Sequence, residues 1–254
     1  MLDRTRIEAY ERDGFLNGIR VMSDREVTRY RDSFDALEAR EGREKAENGL
    51  FDRHFEERFI WQIATHSKIL DCVTAILGPN VFLLSTHFFC KYGPREKFVA
   101  WHQDLRYWGM EPPIEVSAWY AVDDSDRGNG CMRVIPSVHR DRLLDHGKSN
   151  QKGNLLSINQ EVEVTAQEEE TAVDCILKAG EMSLHDGMLI HGSLPNRSTR
   201  RRCGLTVRYI PTHIKPLAAG PIGTDMKWRP ILARGTDDEK NFDVHEPPFD
   251  LGAN

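Results

Sequence analysis

The chain has 254 residues, of which 39% are hydrophobic and 29% are charged, and its formal net charge is -6. This composition, with a mean hydropathy of -0.54, argues against both an intrinsically disordered chain and a membrane-spanning one. The acidic balance and the shortness of the basic clusters predict that the protein binds neither nucleic acid nor a membrane.

The amino-terminal residues Met1 to Arg6 lead straight into a charged, amphipathic pattern. They contain no apolar signal region, so we expect a cytoplasmic protein. The cysteines lack C-x-x-C spacing, and we expect them to be reduced and mostly buried, with neither a disulfide framework nor a zinc knuckle. The five cysteines are Cys72, Cys90, Cys131, Cys175 and Cys203.

The first part of the chain, about residues 1–78, has helical periodicity. Residues 5–14 follow a helical spacing, and the segment Ser23 to Glu26 has the pattern of a capping box. This box predicts a second helix that ends near Gly42. Another apolar-periodic stretch covers residues 61–77 and stops at a Gly-Pro-Asn breaker.

Short strand-like runs follow, separated by turn signals. They lie at residues 81–84, 87–90, 115–120, 176–177, 188–190 and 205–209. Many short strands after a helical start predict a β-sandwich or jelly roll with helices packed on its outside. We predict one domain over residues 1–254. Its parts are a helical segment at about 1–78, a jelly-roll core at about 79–215 and a C-terminal extension at 216–254.

The most informative stretch runs from Val99 to Asp104. In a strand, residues two positions apart share a face, so His102 and Asp104 would bind one ion together. In a chain with 10 histidines and 40 acidic residues, an isolated His-x-Asp pair is weak evidence for a metal site.

A third ligand is available in His191, which ends the apolar run at residues 188–190. Two histidines and one carboxylate on a β scaffold form the facial triad of non-haem Fe(II) oxygenases. Such a triad leaves coordination positions open for a co-substrate and dioxygen. A structural zinc site would use a closed, thiolate-rich set of ligands instead.

Arg202 begins the last strand-like run, and its side chain would share a face with alternate residues up to Arg208. A guanidinium fork suits the distal carboxylate of 2-oxoglutarate, whose keto-acid end chelates iron. We expect this strand to lie beside the one that ends at His191. We expect Arg200 and Arg201 to be surface residues.

Together these residues resemble the phytanoyl-CoA hydroxylase family of Fe(II)- and 2-oxoglutarate-dependent dioxygenases. The resemblance runs nearly from end to end, and its joint pattern is specific. The motifs that carry it are Tyr10–Phe15, Trp101–Asp104, Ser117–Trp119 with Asp123–Asp124, Asn129–Pro136 and His191–Asn196.

The resemblance implies an α+β protein with a double-stranded β-helix core of the cupin type and flanking helices. It implies Fe(II) held by His102, Asp104 and His191, which are the expected catalytic residues, and 2-oxoglutarate held by Arg202. Gln103, Trp119 and Ser193 match family positions near the co-substrate. The implied reaction uses O2 and oxidises a small organic molecule, most simply by hydroxylation with release of succinate and CO2.

Asp104 bears on the choice between hydroxylation and halogenation. Aliphatic halogenases of related fold have Gly or Ala in place of the carboxylate ligand, which opens a position for chloride. This chain keeps Asp104, so oxygen insertion is favoured over halogenation.

Several polar residues near these motifs have simpler interpretations. We expect the Asp186-Gly187 turn to rotate His185 away from the metal face, which leaves it a structural or supporting role. His139 matches a family turn. An anionic substrate group becomes plausible if Arg106, Arg133 or Arg208 points into the barrel mouth. Aromatic residues that would be either pocket lining or core are Phe88, Tyr107, Trp108 and Trp119.

Three alternatives stay open. A zinc hydrolase would use the same three ligands, although no H-E-x-x-H motif supplies a general base. A non-catalytic binding protein of cupin-like fold would release no succinate. A desaturase, cyclase or epimerase of the same family would differ only in how it places the substrate radical. The triad specifies the oxidant, whereas loops select the substrate, and an acyl-CoA is not implied by the family name. The sequence carries no signal for oligomeric state.

Overall fold

The computed structural model describes residues 2–137, 143–156, 159–217 and 227–250. Within these residues the α-helices are α1 Arg4–Asp13, α2 Asp24–Glu41, α3 Arg43–Asn48, α4 Arg58–Ala64, α5 Ser67–Leu77 and α6 Ala166–Glu170. The strands are β1 Phe15–Arg20, β2 Val81–Lys91, β3 Val99–His102, β4 Met110–Glu111, β5 Val116–Ala121, β6 Met132–Val134, β7 Gly147–Lys148, β8 Gln160–Glu161, β9 Val173–Cys175, β10 Glu181–Asp186, β11 His191–Ser193, β12 Arg202–Pro211, β13 Lys215–Pro216 and β14 Ile231–Arg234.

Helix α2 begins where the capping pattern predicts. The Ser23 side chain accepts from the Glu26 backbone N–H, and the Glu26 carboxylate accepts from the Ser23 backbone N–H. Such a cap stabilises a helix by about 1 kcal/mol. The helix ends at Gly42, whose φ of 89° lies in a region that favours glycine. The predicted start and end of this helix are confirmed.

Strand β1 departs from the prediction of a wholly helical amino-terminal part. It pairs antiparallel with β10, with a register shift between Leu16 and Ile19. Asn17 and Gly18 fall at this irregularity and break the period-two pattern of apolar residues. The sequence therefore gave little indication of an edge strand here.

Two antiparallel sheets form the core. The larger sheet has the order β1-β10-β5-β12-β2-β14, and the smaller has the order β3-β11-β6-β9. From β2 to β12 the chain passes back and forth between the two sheets, which is the topology of a double-stranded β-helix. The predicted α+β fold with a jelly-roll core and flanking helices is confirmed.

The outer face of the larger sheet packs against the helices. On β12, Leu205 and Val207 face outward into one apolar cluster with Phe34 of α2 and Trp61 of α4. All four side chains are at most 1% exposed, and each contributes about 1.5–3 kcal/mol through burial. Because this core stabilises β12 from outside, the alternate residues on its other face are free to carry polar groups between the sheets.

The structure departs from the prediction at residues 188–190 and agrees with it for the cysteines. Residues 188–190 form a turn and not a strand, since Leu189 donates its N–H to the Asp186 carbonyl. All five cysteines are free and buried, as expected. None of the described helices is both long and apolar enough to cross a membrane.

Candidate active site

The three predicted metal ligands meet at one end of the smaller sheet. His102 is the last residue of β3 and His191 the first of β11, and these two residues are direct partners across the antiparallel pair. After His102 the chain leaves the sheet, and Asp104 opens a short 3-10 helix, Asp104–Tyr107. The expectation that His102 and Asp104 lie on one strand is wrong. The turn brings the carboxylate back toward the imidazoles.

The geometry fits a single divalent cation. One ligand atom from each of His102, Asp104 and His191 lies within 4.8 Å of the others. The His102 Nε2 atom is 3.4 Å from Asp104 Oδ1. The Nδ1 atoms of His102 and His191 each lie 2.9 Å from a backbone carbonyl, of Ala100 and Leu189 respectively. These contacts fix the tautomer and direct both Nε2 atoms to the shared space.

The electrostatics keep His191 and Asp104 in the protonation states that a metal requires. Burial lowers the pKa of His191 well below its ordinary value. Burial by itself raises the pKa of Asp104, but nearby Arg208 and the two histidines outweigh it and hold this pKa well below its usual value. A neutral imidazole and an ionised carboxylate are therefore present near neutral pH. Two nitrogen donors and one oxygen donor suit Fe(II), and no cysteine belongs to the cluster.

A cavity extends from the triad into the space between the sheets. Its wall contains the three predicted metal ligands and also residues from the larger sheet. The lining residues are Phe89, Val99, His102, Asp104, Trp119, Met132, His185, His191, Gly192, Ser193, Arg202, Thr206 and Arg208.

Arg202, in the wall of this cavity, lies beside a second buried basic residue, Lys91. Arg202 and Lys91 are each 2% exposed. Arg202 donates to the Gly130 carbonyl and to Ser193 Oγ, at 3.1 and 3.3 Å. The Lys91 Nζ donates to the same Ser193 Oγ at 2.6 Å and to the Leu194 carbonyl at 2.5 Å.

Within the described part of the chain, neither Lys91 nor Arg202 has an ion-pair partner. Burial, with the Arg202 charge close by, lowers the pKa of Lys91 well below its ordinary value. Buried charges are normally paired because desolvation costs several kcal/mol. The buried Arg202 guanidinium, with the Lys91 amine as a second donor on the same hydroxyl, therefore forms a site suited to an anion.

The chain matches the phytanoyl-CoA dioxygenase (PhyH) family over residues 10–204. The chain belongs to the phytanoyl-CoA dioxygenase family. It is 24% identical over 223 residues to the peroxisomal phytanoyl-CoA dioxygenase of Homo sapiens. This match covers 79% of the chain and 66% of the human protein, slightly less than two thirds.

Solved structures with similar folds include two other enzymes. The non-heme monooxygenase ThoJ, in its apo form, has a TM-score of 0.76 and 26% identity, and the match covers 95% of this chain and 86% of that one. The epimerase SnoN, in complex with Fe3+, alpha-ketoglutarate and nogalamycin RO, has a TM-score of 0.71 and 20% identity, with 93% and 98% covered. At 20% identity, the second match shows a shared fold alone.

Two of the three positions that the family resemblance suggests near the co-substrate lie in the cavity wall. Trp119 and Ser193 line the cavity, and the Arg202 guanidinium lies 5.3 Å from the centre of the Trp119 ring. Gly204 permits this arrangement, because a Cβ atom there would lie 2.0 Å from Trp119 Cζ2. Gln103 does not line the cavity. Its side-chain amide donates to the Met188 carbonyl and accepts from the Leu144 N–H, both at 2.7 Å.

The arginines beside Arg202 face the outside of the barrel. Arg200 pairs with Asp126 at 2.7 Å, and Arg201 pairs with Asp123 at 2.7 Å. Strand β12 does not lie beside β11, contrary to the expectation, because the two belong to different sheets. Arg202 instead reaches Ser193 across the space between the sheets.

Lys91 was missed by the sequence reasoning. It follows the apolar run Phe88-Phe89-Cys90 on β2 and lies beside Arg202 in the register of β2 with β12. A lysine that ends a run of buried strand residues was the available signal, since lysine is almost never fully buried without a partner.

The three arginines considered for an anionic substrate each pair with a carboxylate. Arg106 pairs with Asp145 at 3.1 Å. Arg133 pairs with Glu169 at 3.1 Å and with Asp174 at 3.6 Å. Arg208 donates its Nε–H to Asp104 Oδ2 at 3.2 Å. Arg208 alone of the three lines the cavity with the triad, and its bond to Asp104 uses only one of the five N–H groups of a guanidinium.

Two aromatic residues that the sequence left between pocket lining and core, Phe88 and Trp108, lie in different surroundings. Phe88 lies on the helical side of the larger sheet, in the same apolar cluster as Phe34. Trp108 packs under the Arg208 guanidinium, 5.2 Å from its ring centre. His139 and the side chain of Tyr107 lie outside the described residues.

Arg208 orients the carboxylate of Asp104. The Oδ2 atom of Asp104 accepts from Arg208 and lies 3.4 Å from Ser117 Oγ, which leaves Oδ1 directed at His102. We expect Arg208→Leu to weaken metal binding by roughly 10- to 100-fold, because partners of metal ligands typically have effects of this size. Calorimetric titration with Ni(II) measures the affinity.

The matched control for this prediction is Arg106→Leu, which removes a surface ion pair with the fully exposed Asp145. Its metal affinity should equal that of the wild type, since exposed pairs contribute little. An Arg208→Leu protein that folds and binds Ni(II) as tightly as the wild type would show that Asp104 needs no support from Arg208.

Proposed function

We propose that this chain is an Fe(II)- and 2-oxoglutarate-dependent oxygenase that hydroxylates a small organic molecule, with release of succinate and CO2. The observation that carries the proposal is one cavity whose wall contains both the three candidate ligands and Arg202. His102, Asp104 and His191 lie in ligand-bonding reach of each other. Arg202 and its neighbour Lys91 are buried and have no carboxylate partner among the described residues.

The residues of this site would bind Fe(II) and 2-oxoglutarate together. His102, Asp104 and His191 would hold iron, and the guanidinium of Arg202 would hold the distal carboxylate of 2-oxoglutarate. Lys91 would add a second hydrogen-bond donor, and Ser193 would donate its hydroxyl to the same carboxylate. Trp119 would pack beside the co-substrate. When bound, Fe(II), 2-oxoglutarate and O2 supply the oxidant, while the protein provides position and excludes water.

The burial of the site supports a redox role in preference to simple binding. All three ligand residues are 7% exposed or less, and apolar residues such as Phe89 and Met132 form part of the cavity wall. A reactive intermediate needs this protection from water and from the protein surface. The donor set also differs from that of structural zinc sites, which are closed by four protein ligands.

A substrate screen tests the proposed function. Iron-loaded protein is supplied with 2-oxoglutarate, O2 and candidate small molecules, and succinate is measured above the background without substrate. We expect a true substrate to raise succinate in proportion to product. A product that gains one oxygen atom supports hydroxylation, whereas one that loses two hydrogens or inverts a centre identifies a desaturase, cyclase or epimerase of the same family.

Two results of this experiment would contradict the proposal. A protein that binds 2-oxoglutarate tightly but never forms succinate, with or without any substrate, is a binding protein. Hydrolysis that depends on zinc and proceeds without 2-oxoglutarate identifies a hydrolase.

Asp104→Gly tests the preference for hydroxylation over halogenation. We expect this variant to lose hydroxylation, because the carboxylate ligand is gone. Added chloride or azide should then bind at the opened position and partly restore metal affinity. The measurements are product mass and Ni(II) affinity with and without azide, and wild-type protein provides the comparison. Efficient halogenation by the wild type would show that Asp104 does not have the role of a ligand.

A further inference from the structure

His185 is buried in the wall of the active-site cavity with no hydrogen-bond partner. It lies on β10 and is 1% exposed. Neither Nδ1 nor Nε2 has a partner among the described residues. A neutral imidazole carries one N–H donor and one acceptor, and leaving such groups buried and unpaired destabilises the fold. Buried polar groups of this kind usually meet a ligand or water.

His185 lies close to the candidate metal ligands in the cavity wall. Its ring centre is 4.5 Å from that of His191. In the larger sheet, His185 pairs with Ser117, and Ser117 pairs with Arg208. These three residues therefore form one row across the sheet, and two of them contact the Asp104 carboxylate. The expectation that the Asp186-Gly187 turn rotates His185 away from this face is wrong.

The ring of His185 suits a hydrogen-bond donor. An imidazole carries one N–H when neutral and two when protonated, so the ring has at least one N–H in either state. It can donate that hydrogen bond to an anionic group.

The cavity indicates which anionic group this is. His185 and Arg202 line the same cavity as His191. A diacid whose distal carboxylate binds Arg202 would place its keto-acid end at the metal, among the residues around His191. At 1% exposure, His185 is part of this interior wall and not of the protein surface, from which a substrate enters.

We propose that His185 is a co-substrate-binding residue that donates its ring N–H to the keto-acid end of 2-oxoglutarate. This inference rests on the proposed function and extends it to a residue outside the triad and the distal anchor. It predicts that His185 contributes to affinity for the keto acid and to its electronic environment, but not to affinity for the metal.

The test uses 2-oxoglutarate binding and no turnover. Anaerobic Fe(II) protein is titrated with 2-oxoglutarate, and the visible metal-to-ligand charge-transfer band gives both the affinity and the absorption energy. Calorimetry with Ni(II) gives the metal affinity. We expect His185→Leu to weaken 2-oxoglutarate binding by roughly tenfold or more, as expected for a lost hydrogen bond to a charged group, and to shift the band. Metal affinity should stay within about twofold of the wild type.

Two further variants separate hydrogen bonding from structure. His185→Gln keeps an N–H donor, so it should recover most of the affinity and of the band position. His54→Leu removes another buried imidazole, which contacts Thr86 outside the cavity, and it should lower thermal stability without moving the band. If His185→Leu does not fold, His185→Asn, whose amide is too short to reach, should show the loss relative to His185→Gln.

Three outcomes overturn the inference. Wild-type affinity and an unshifted band in His185→Leu would mean that a water molecule, and not the keto acid, satisfies the ring. A parallel loss of Ni(II) affinity would identify His185 as a fourth metal ligand. If wild-type protein binds Fe(II) but shows no band with 2-oxoglutarate, the proposed function itself fails, whereas a band in the wild type that His185→Leu leaves unchanged refutes the His185 contact alone.

Discussion

Replacing His102 or His191 by alanine should abolish both iron binding and turnover. Each imidazole would supply one of the three ligands that the described residues bring together, and the remaining His and Asp104 would hold a divalent cation weakly. We expect less than a tenth of the wild-type iron content after desalting. Succinate formation should fall by more than about a thousandfold, since the uncatalysed oxidation is negligibly slow. Metal analysis by plasma mass spectrometry and a succinate assay measure the two losses.

The control for these ligand variants is His213→Ala. His213 is exposed in a turn after β12, so its loss should change neither iron content nor turnover. Circular dichroism checks that each variant is folded. Wild-type iron content and activity in folded His102→Ala or His191→Ala protein would rule out the assignment of these residues as ligands.

The second prediction with a large effect concerns Arg202 and its buried neighbour Lys91. Truncating one partner of a buried charge pair costs about 2–5 kcal/mol, so Arg202→Ala should raise the 2-oxoglutarate requirement by more than roughly tenfold. Iron binding should survive, because Arg202 does not contact the triad. Arg202→Lys should recover only part of the loss, since an ammonium cannot reproduce the planar two-bond fork.

The same titration tests the contribution of Lys91 to 2-oxoglutarate binding. Lys91→Met keeps the length of the side chain and removes its amino group, and we expect it to weaken 2-oxoglutarate binding as well. Because Lys91 and Arg202 share the Ser193 hydroxyl, the double variant should not show a simple sum of the two losses. Titration of 2-oxoglutarate against the Fe(II) protein, and the rise in melting temperature that the co-substrate produces, measure each variant.

Arg200→Ala and Arg201→Ala are the matched controls, because both side chains pair with carboxylates outside the barrel. Both should bind 2-oxoglutarate like the wild type. If Arg202→Ala also binds like the wild type, while Arg208→Ala or Arg200→Ala loses affinity for the co-substrate with its iron intact, the distal anchor must be reassigned.

Local chemistry explains the features that could be predicted from the sequence. The start of α2 follows from contacts between Ser23 and Glu26 within one turn. The inward face of β12 follows from the period of two in a strand, which puts Arg202 and Arg208 on the same side. Neither feature depends on the distant parts of the chain, so a short window of residues is sufficient.

The sequence alone determined the fold class, the three candidate ligands and the arginine in the cavity wall, because these are set by residue type, strand period and a matching family pattern. Only the tertiary structure decided which other polar residues meet them. It put Lys91 beside Arg202, directed Arg208 to Asp104 and left His185 unpartnered beside His191. The reason is that these contacts join strands far apart in sequence, so they depend on how two sheets face each other and on interstrand register.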